Sequence, residues 1–294
     1  MESLSLQHLA IICDGNRRWG RLNGKKMSVD FYSEAGLNVR DVAIAAFKQG
    51  AQNVSVWIGS ISNLTSRDHA ELAALDKAYR IFFNNQENLD YALKNQIMLE
   101  CIGRWRELLK PETAAVIEKA VAATAHFPAD SRRFTVLIGY DGNDERGVAL
   151  KKILDEPNLT SARLSKNGER VSDEPRDDNA RSEATEGALY AISKKSPYKR
   201  EERRGSKVWR DNITDAKHFA NLLRQNSWTG HLPDVDLIIR TGSKDDPHNS
   251  AGFLSLLTDN TQYAFVDTLW PDFNPNHLTQ ILTDFASRER RMGK

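Results

Sequence analysis

With two cysteines in 294 residues, the chain has neither a disulfide framework nor the thiolates of a four-cysteine metal site. Cys13 ends an apolar run and reads as a small core residue rather than a nucleophile. No apolar stretch nears the roughly 18 residues that span a bilayer, and the N-terminus carries no secretory pattern. The expectation is a cytoplasmic protein without a transmembrane segment. An excess of one charge is lacking as well: 41 basic residues face 40 acidic ones, so there is no long-range basic field for nucleic acid. The Walker phosphate loop is also missing, because its glycine spacing and terminal Gly-Lys-Ser/Thr do not occur. What is present is ordinary globular composition, 40% hydrophobic and 28% charged, in a chain long enough to bury a substantial core.

Short apolar runs alternate with longer amphipathic stretches. The pattern predicts strands over 8–13, 53–58, 96–102, 134–140 and 235–239. It predicts helices over 33–48, 68–83, 86–93, after Pro111, after the turn Asp141-Gly-Asn-Asp-Glu145, and over 215–223. Residues 59–66 read as a polar loop. Residues 157–207, rich in Ser, Asn, Asp, Glu, Arg and Lys, read as a polar surface insertion. Strands alternating with helices imply a single α/β domain with a mainly parallel central sheet flanked by helices. In such sheets ligands sit where loops leave the carboxyl ends of the strands. The loops after Cys13, Ile58, Tyr140 and Ile239 are therefore expected to converge.

The first of these loops, Asp14-Gly15-Asn16-Arg17-Arg18, has a definite chemical logic. Asp14 is a hard oxygen ligand suited to Mg²⁺, and Gly15 permits a tight turn against a bound group. Backbone N–H groups beyond the turn, with Arg17, Arg18 and Arg21, suit a diphosphate. The other reading is a plain turn with surface arginines. A second cationic loop, Arg240-Thr-Gly-Ser-Lys244, follows an apolar strand, and Arg240, Ser243 and Lys244 offer further donors there.

The chain resembles the cis-prenyltransferase family of undecaprenyl diphosphate synthases. The resemblance rests on four ordered blocks: His8-Leu-Ala-Ile-Ile-Cys-Asp-Gly-Asn-Arg-Arg-Trp19, Tyr140-Asp-Gly-Asn-Asp-Glu145, Asp236-Leu-Ile-Ile-Arg-Thr-Gly242 and Thr268-Leu-Trp-Pro-Asp-Phe273. The ending Arg288-Glu-Arg-Arg-Met-Gly293 is similar too. The resemblance implies a parallel α/β fold with an elongated hydrophobic tunnel, a homodimer, and condensation of an allylic prenyl diphosphate with isopentenyl diphosphate. It implies that Asp14 coordinates Mg²⁺, that Asn16 and Asn63 organise the reacting groups, and that Gly15 and Arg18 cradle the allylic diphosphate. Trp19 is implied as a nearby apolar wall and Arg67 as a family-like arginine.

The departures from the family pattern are as informative. Aligning on Gly36 puts Tyr32-Ser33 where the family carries Gly-His, so the usual histidine is absent. The segment from Arg240 to Phe253 has no second arginine; Asn249 stands near its place, and Gln262 stands near a usual metal-binding glutamate. An arginine that clamps diphosphate is not interchangeable with asparagine. The expected activity is therefore ionisation of an allylic diphosphate followed by prenyl transfer to a non-standard acceptor, a second prenyl diphosphate or a small aromatic metabolite, or by cyclisation. Conventional short-chain elongation with isopentenyl diphosphate and a non-catalytic partner subunit are the alternatives.

Overall fold

The computed structural model describes residues 6–155 and 206–288, with side chains from 6 to 155 and from 216 to 288. The insertion expected over 157–207 lies outside them, except that its last two residues open a helix. Two compact units emerge, Met1–Leu150 with Arg224–Lys294, and Lys151–Leu223. Of the second, the described part is the end of one helix and most of another.

The first unit is built on β1 (His8–Ile12), β2 (Asn53–Ser60), β3 (Ile97–Ile102), β4 (Arg132–Tyr140), β5 (Leu237–Arg240) and β6 (Gln262–Phe265). They lie in the order β3-β4-β2-β1-β5-β6, and every pair is parallel. Period-two alternation divides the strand residues between two cores. Leu9, Ile11, Val54, Val56, Val136 and Ile239 join the larger one. Ala10, Ile12, Trp57, Leu137 and Ile238 join a smaller one, closed by Leu232, Phe253, Leu254 and Leu257.

The helices are α1 (Asn16–Leu22), α2 (Val29–Lys48), α3 (Ile61–Ser66), α4 (His69–Phe83), α5 (Gln86–Lys94), α6 (Trp105–Leu108), α7 (Pro111–Thr124), α8 (Gly142–Asp155), α9 (Ser206–Asn226) and α10 (Pro275–Ser287). Their starts follow from local hydrogen bonding. Ser28, Asp68 and Asn85 each accept a backbone N–H from the first turn of α2, α4 and α5. The cap at Ser28 starts α2 four residues before the expected position. Residues 59–66, expected as loop, extend β2 and then form α3, because Ser60 and Asn63 make a reciprocal capping box. Among the described residues, no helix is long and apolar enough to cross a membrane.

The turn after β4 has a structural job instead of joining the other loops. Asp141 accepts from Asn143 N and Asp144 N at 2.8 and 3.2 Å, starting α8. Gly142 donates its N–H to Ala251 O at 2.9 Å, and a Cβ on it would lie 1.9 Å from Gly252 O. Buried Glu145 accepts from Tyr140 Oη, Thr229 N and Thr229 Oγ1 at 2.6, 2.7 and 2.7 Å, so its desolvation is offset by three donors.

Candidate active site

Strands β2, β1 and β5 are neighbours, and the chain reverses its direction of travel across the sheet at β1. Such a switch point opens a crevice at the carboxyl ends of the strands. A cavity of about 410 Å³ lies there, lined by Asp14, Asn16, Arg18, Asn63, Arg67 and Arg240 among others. Of the residues singled out from sequence, Gly15, Arg17 and Arg21 also line it. Arg18 and Arg240 continue into an adjoining cavity of about 370 Å³ that takes in Ser243 and Lys244. Trp19 lines neither cavity; its ring packs 5.8 Å from Phe31 at the edge of the larger core.

The loop after β1 is fixed by its neighbours. Thr241 Oγ1 accepts Asp14 N at 2.9 Å and donates to Asp14 O at 2.7 Å. Trp270 N donates to the same carbonyl at 3.0 Å. Gly15 sits at φ 103° with Leu269 against it: a Cβ there would be 2.8 Å from Leu269 Cδ2. Gly242, at φ 61°, meets the same leucine from the other loop and gives its carbonyl to Arg18 Nη2 at 2.7 Å. The Thr268–Phe273 block is thus the wedge that sets both loops.

Asp14 Oδ1 accepts Gly15 N at 2.6 Å, and Asp14 Oδ2 accepts Arg240 Nη2 at 2.9 Å. Arg240 is buried; its Nη1 donates to His248 O at 2.8 Å, and its Nε has no partner. Ser243 Oγ donates to Arg240 O, and Lys244 pairs with Asp267 at 3.2 Å. Asn249 donates to Phe253 O at 3.1 Å while its buried Oδ1 is unpartnered. Gln262 opens β6 in register with Leu237, three residues before Arg240, and accepts from Arg288. It therefore stands at the amino end of the sheet, not beside Asp14.

Around the mouth, Arg67 Nη1 donates to Glu71 Oε1 at 3.0 Å and lies 3.2 Å from Tyr32 Oη, while Arg17 Nε lies 3.7 Å from Glu71 Oε1. Tyr32 Oη donates to the same carboxylate oxygen at 2.6 Å. Sequence reasoning missed Glu71, whose signal was a charged residue at an otherwise inward position of α4. Deeper in, Ala35, Val39, Leu75, Ala78 and Phe82 form an apolar wall. Beyond Phe82 lies a separate apolar slot of about 60 Å³ against Phe47, Phe83, Ile97 and Phe134, so the expected tunnel is in two pieces with Phe82 bordering both.

Does this site fit Mg²⁺? The ion takes oxygen ligands and commonly binds through one or two carboxylates plus substrate phosphates. Among the described residues there is no group of three or more acidic, His or Cys side chains that could hold a metal alone. Asp14 is the one carboxylate lining the larger cavity, its side chain 39% exposed. Beside it lies Asn16, whose buried Oδ1 is without a partner. That donor set fits an ion brought in with a diphosphate, not a resident one.

Four likenesses to known proteins bear on this arrangement. A family model described as "Putative undecaprenyl diphosphate synthase" matches residues 12–293. An isoprenyl transferase of Chlamydia abortus is 28% identical, covering 99% of this chain and 96% of its own. A solved lavandulyl diphosphate synthase of Lavandula x intermedia, in complex with dimethylallyl diphosphate, superposes with a TM-score of 0.71 at 19% identity, covering all of both chains. A probable undecaprenyl diphosphate synthase of Campylobacter jejuni gives 0.61 at 19% identity, covering 99% of each chain. With the family model spanning nearly the whole chain and the parallel fold shared, the chain belongs to the cis-prenyltransferase family.

Proposed function

We propose that the chain ionises an allylic prenyl diphosphate with Mg²⁺ and transfers the prenyl group to an acceptor other than isopentenyl diphosphate, or closes it onto an internal double bond. The supporting observation is the charge of the two adjoining cavities. Five arginines, Arg17, Arg18, Arg21, Arg67 and Arg240, face one carboxylate in the larger. Three cations face four carboxylates, Asp14, Asp245, Asp246 and Asp267, in the other. The larger cavity suits a diphosphate with an apolar tail along Val39, Leu75 and Phe82. The smaller offers a second diphosphate no excess of positive charge.

In this reading Asp14 holds the ion against the donor, Arg18 and backbone N–H groups of the Gly15 turn bind its diphosphate, and Asn16 and Asn63 orient the reacting end. Bound Mg²⁺ supplies charge neutralisation for the departing diphosphate. A homodimer, implied by the family resemblance, belongs to the same proposal. The structural likeness to an enzyme complexed with dimethylallyl diphosphate makes that compound the first donor to offer.

The test offers purified protein C5, C10 and C15 allylic diphosphates with Mg²⁺, with and without isopentenyl diphosphate, measuring diphosphate release and products. Products formed without isopentenyl diphosphate support the proposal, and elongation only in its presence overturns it. Absence of turnover, with activation of a second homologous chain, assigns a partner subunit instead. Asp14→Asn is expected to lower turnover by about two orders of magnitude or more while leaving the melting temperature near native; unchanged turnover removes Asp14 from this role.

A further inference from the structure

An alkene that intercepts an allylic cation becomes a cation itself, and the coupled product forms only when a neighbouring proton leaves. The structure narrows where such a proton can go. Among the described residues lining the 410 Å³ cavity, the ionisable ones are Cys13, Asp14, five arginines, Tyr32 and Tyr79.

Most of these are poor proton acceptors. Arginine does not give up its own proton, so it has no lone pair to offer. Asp14, paired with Arg240 at 2.9 Å, is in the proposed function the residue that holds the metal ion and the departing diphosphate's side of the site. Cys13 is buried in the larger core. Tyr79 Oη donates to the Ile58 carbonyl at 2.9 Å, and an amide oxygen is no sink for a proton. Tyr32 differs. Its hydroxyl lies 2.6 Å from Glu71 Oε1, a true carboxylate. Glu71 does not line the cavity, and its side chain is only 6% exposed. The carboxylate thus reaches the reacting groups through the phenol. Arg67 at 3.0 Å and Arg17 at 3.7 Å balance its negative charge.

We propose that Tyr32 accepts the proton of the coupling step, with Glu71 behind it as a positioning residue and proton sink. The C–H bond next to the cationic carbon breaks, and its electron pair becomes the new double bond. The proton goes to Tyr32 Oη as the phenolic proton moves to Glu71 Oε1; nothing is oxidised or reduced. Glu71 returns the proton to solvent after product leaves. Burial, and next the bond to Glu71, push the phenol's pKa upward, so the hydroxyl enters the step neutral and aimed at the carboxylate. The relay rests on the proposed prenyl transfer and serves any alkene acceptor.

Tyr32→Phe and Glu71→Gln change these groups with little change of shape. Each is compared with the native chain using dimethylallyl diphosphate and Mg²⁺, alone and with isopentenyl diphosphate, reading kcat, KM, melting temperature and the ratio of alkene to alcohol products. Removing a proton acceptor is expected to lower kcat on the order of a hundredfold with KM little changed. The alcohol fraction should rise as water captures the stranded cation. Tyr32→His, which restores an acceptor, should recover alkene formation relative to Tyr32→Phe. If the departing diphosphate takes the proton, the product ratio stays native in both variants, and the relay is overturned. Loss of turnover with no change in ratio and no recovery by Tyr32→His overturns it equally. A native chain that releases no diphosphate from any donor brings down the proposed function and the relay with it, whereas an active native chain with insensitive variants removes the relay alone.

Discussion

Replacing Gly15 by alanine tests whether the turn geometry, rather than the residue types around it, makes the site. Gly15 has φ 103° and ψ −3°, outside the regions an L-residue adopts readily. That conformation costs a residue with a Cβ roughly 1–3 kcal/mol. The added methyl would also stand 2.8 Å from Leu269 Cδ2 and 3.2 Å from Leu269 Cα, and the latter is backbone that cannot rotate away. For a unit of this size each kcal/mol lowers the melting temperature by roughly 2–4 °C, so a fall of about 2–12 °C is expected. Turnover should suffer more. Gly15 N is bonded to Asp14 Oδ1 and Asp14 O to Trp270 N, and a swing of about 1 Å in a positioning group costs on the order of 10² in rate. Gly24→Ala separates the two causes, since Gly24 has φ 62° but a Cβ on it would meet nothing within 4 Å; it should lose some stability and keep native turnover. Melting curves and diphosphate release from dimethylallyl diphosphate provide the assay. Native turnover in Gly15→Ala would refute the reasoning.

Phe82→Ala joins the reaction cavity to the apolar slot behind it, so kcat/KM for C15 relative to C5 donors should rise about tenfold or more, since each added buried CH₂ contributes ≈ 0.8 kcal/mol; an unchanged ratio would show that Phe82 sets no limit. His8 bears on stability and pH. Its ring is wholly buried between Pro233 O and Ser55 Oγ, and burial lowers its pKa from 6.5 to about 4 against smaller raising effects of Pro233, Asp236 and Asp234. The unfolded chain therefore takes up the proton first: the stabilisation is full above about pH 6.5, is lost as pH falls toward about 4, and totals about 3 kcal/mol. Urea unfolding of native and His8→Gln proteins should show their difference shrinking by about 2 kcal/mol between pH 7.5 and pH 5, and a difference independent of pH would count against a neutral buried imidazole.

Strands with a run of β-branched or apolar residues are legible from the sequence, because both faces of a parallel sheet are buried and the run has to be nearly continuous. Elements that owe their existence to one local bond are harder to see. Helix α1 begins directly after Gly15, whose turn masks it, and α3 depends on Ser60 and Asn63 capping a stretch of polar residues. Strand β5 starts at Leu237 instead of Val235; Val235 N donates to Leu257 O, outside the ladder, and the Asp236 carboxylate accepts Gln7 N and His8 N at 2.7 and 3.0 Å. Strand β6 is four residues of half-buried edge with little pattern to read. Helix α10 does carry a signal, Asn274 followed by Pro275 and a capping histidine, that the sequence expectations above leave unused. In the site, Asp14 and Arg240 are legible because one follows a strand and the other ends one, and Arg18 because it lies in the same short motif as Asp14. The Tyr32–Glu71 contact joins residues 39 apart on different helices, a pairing that only the packing of α2 on α4 creates.

In the proposed function the crevice has a donor side at the loop Asp14–Arg18 and an acceptor side at the segment Arg240–Phe253, and the two are built differently. The donor side is assembled from one continuous loop whose carbonyl is held by Thr241 and Trp270, so its geometry is set by the sheet itself. The acceptor side depends on the longer segment from Arg240 to Phe253, and there most donors are already engaged, although Arg240 Nε is without a partner. Arg240 divides its two terminal nitrogens between Asp14 and the His248 carbonyl, and Asn249 gives its amide to Phe253 O. Lys244 is paired with Asp267 on the rim. A second diphosphate would have to draw Arg240 from Asp14 and leave that carboxylate less well paired, in a cavity that already contains three other aspartates. Each further anion there raises the repulsion it must overcome. In the proposed function an internal double bond, or an acceptor without a diphosphate of its own, faces no such opposition, and this asymmetry supports that reading more than the absence of any single arginine does.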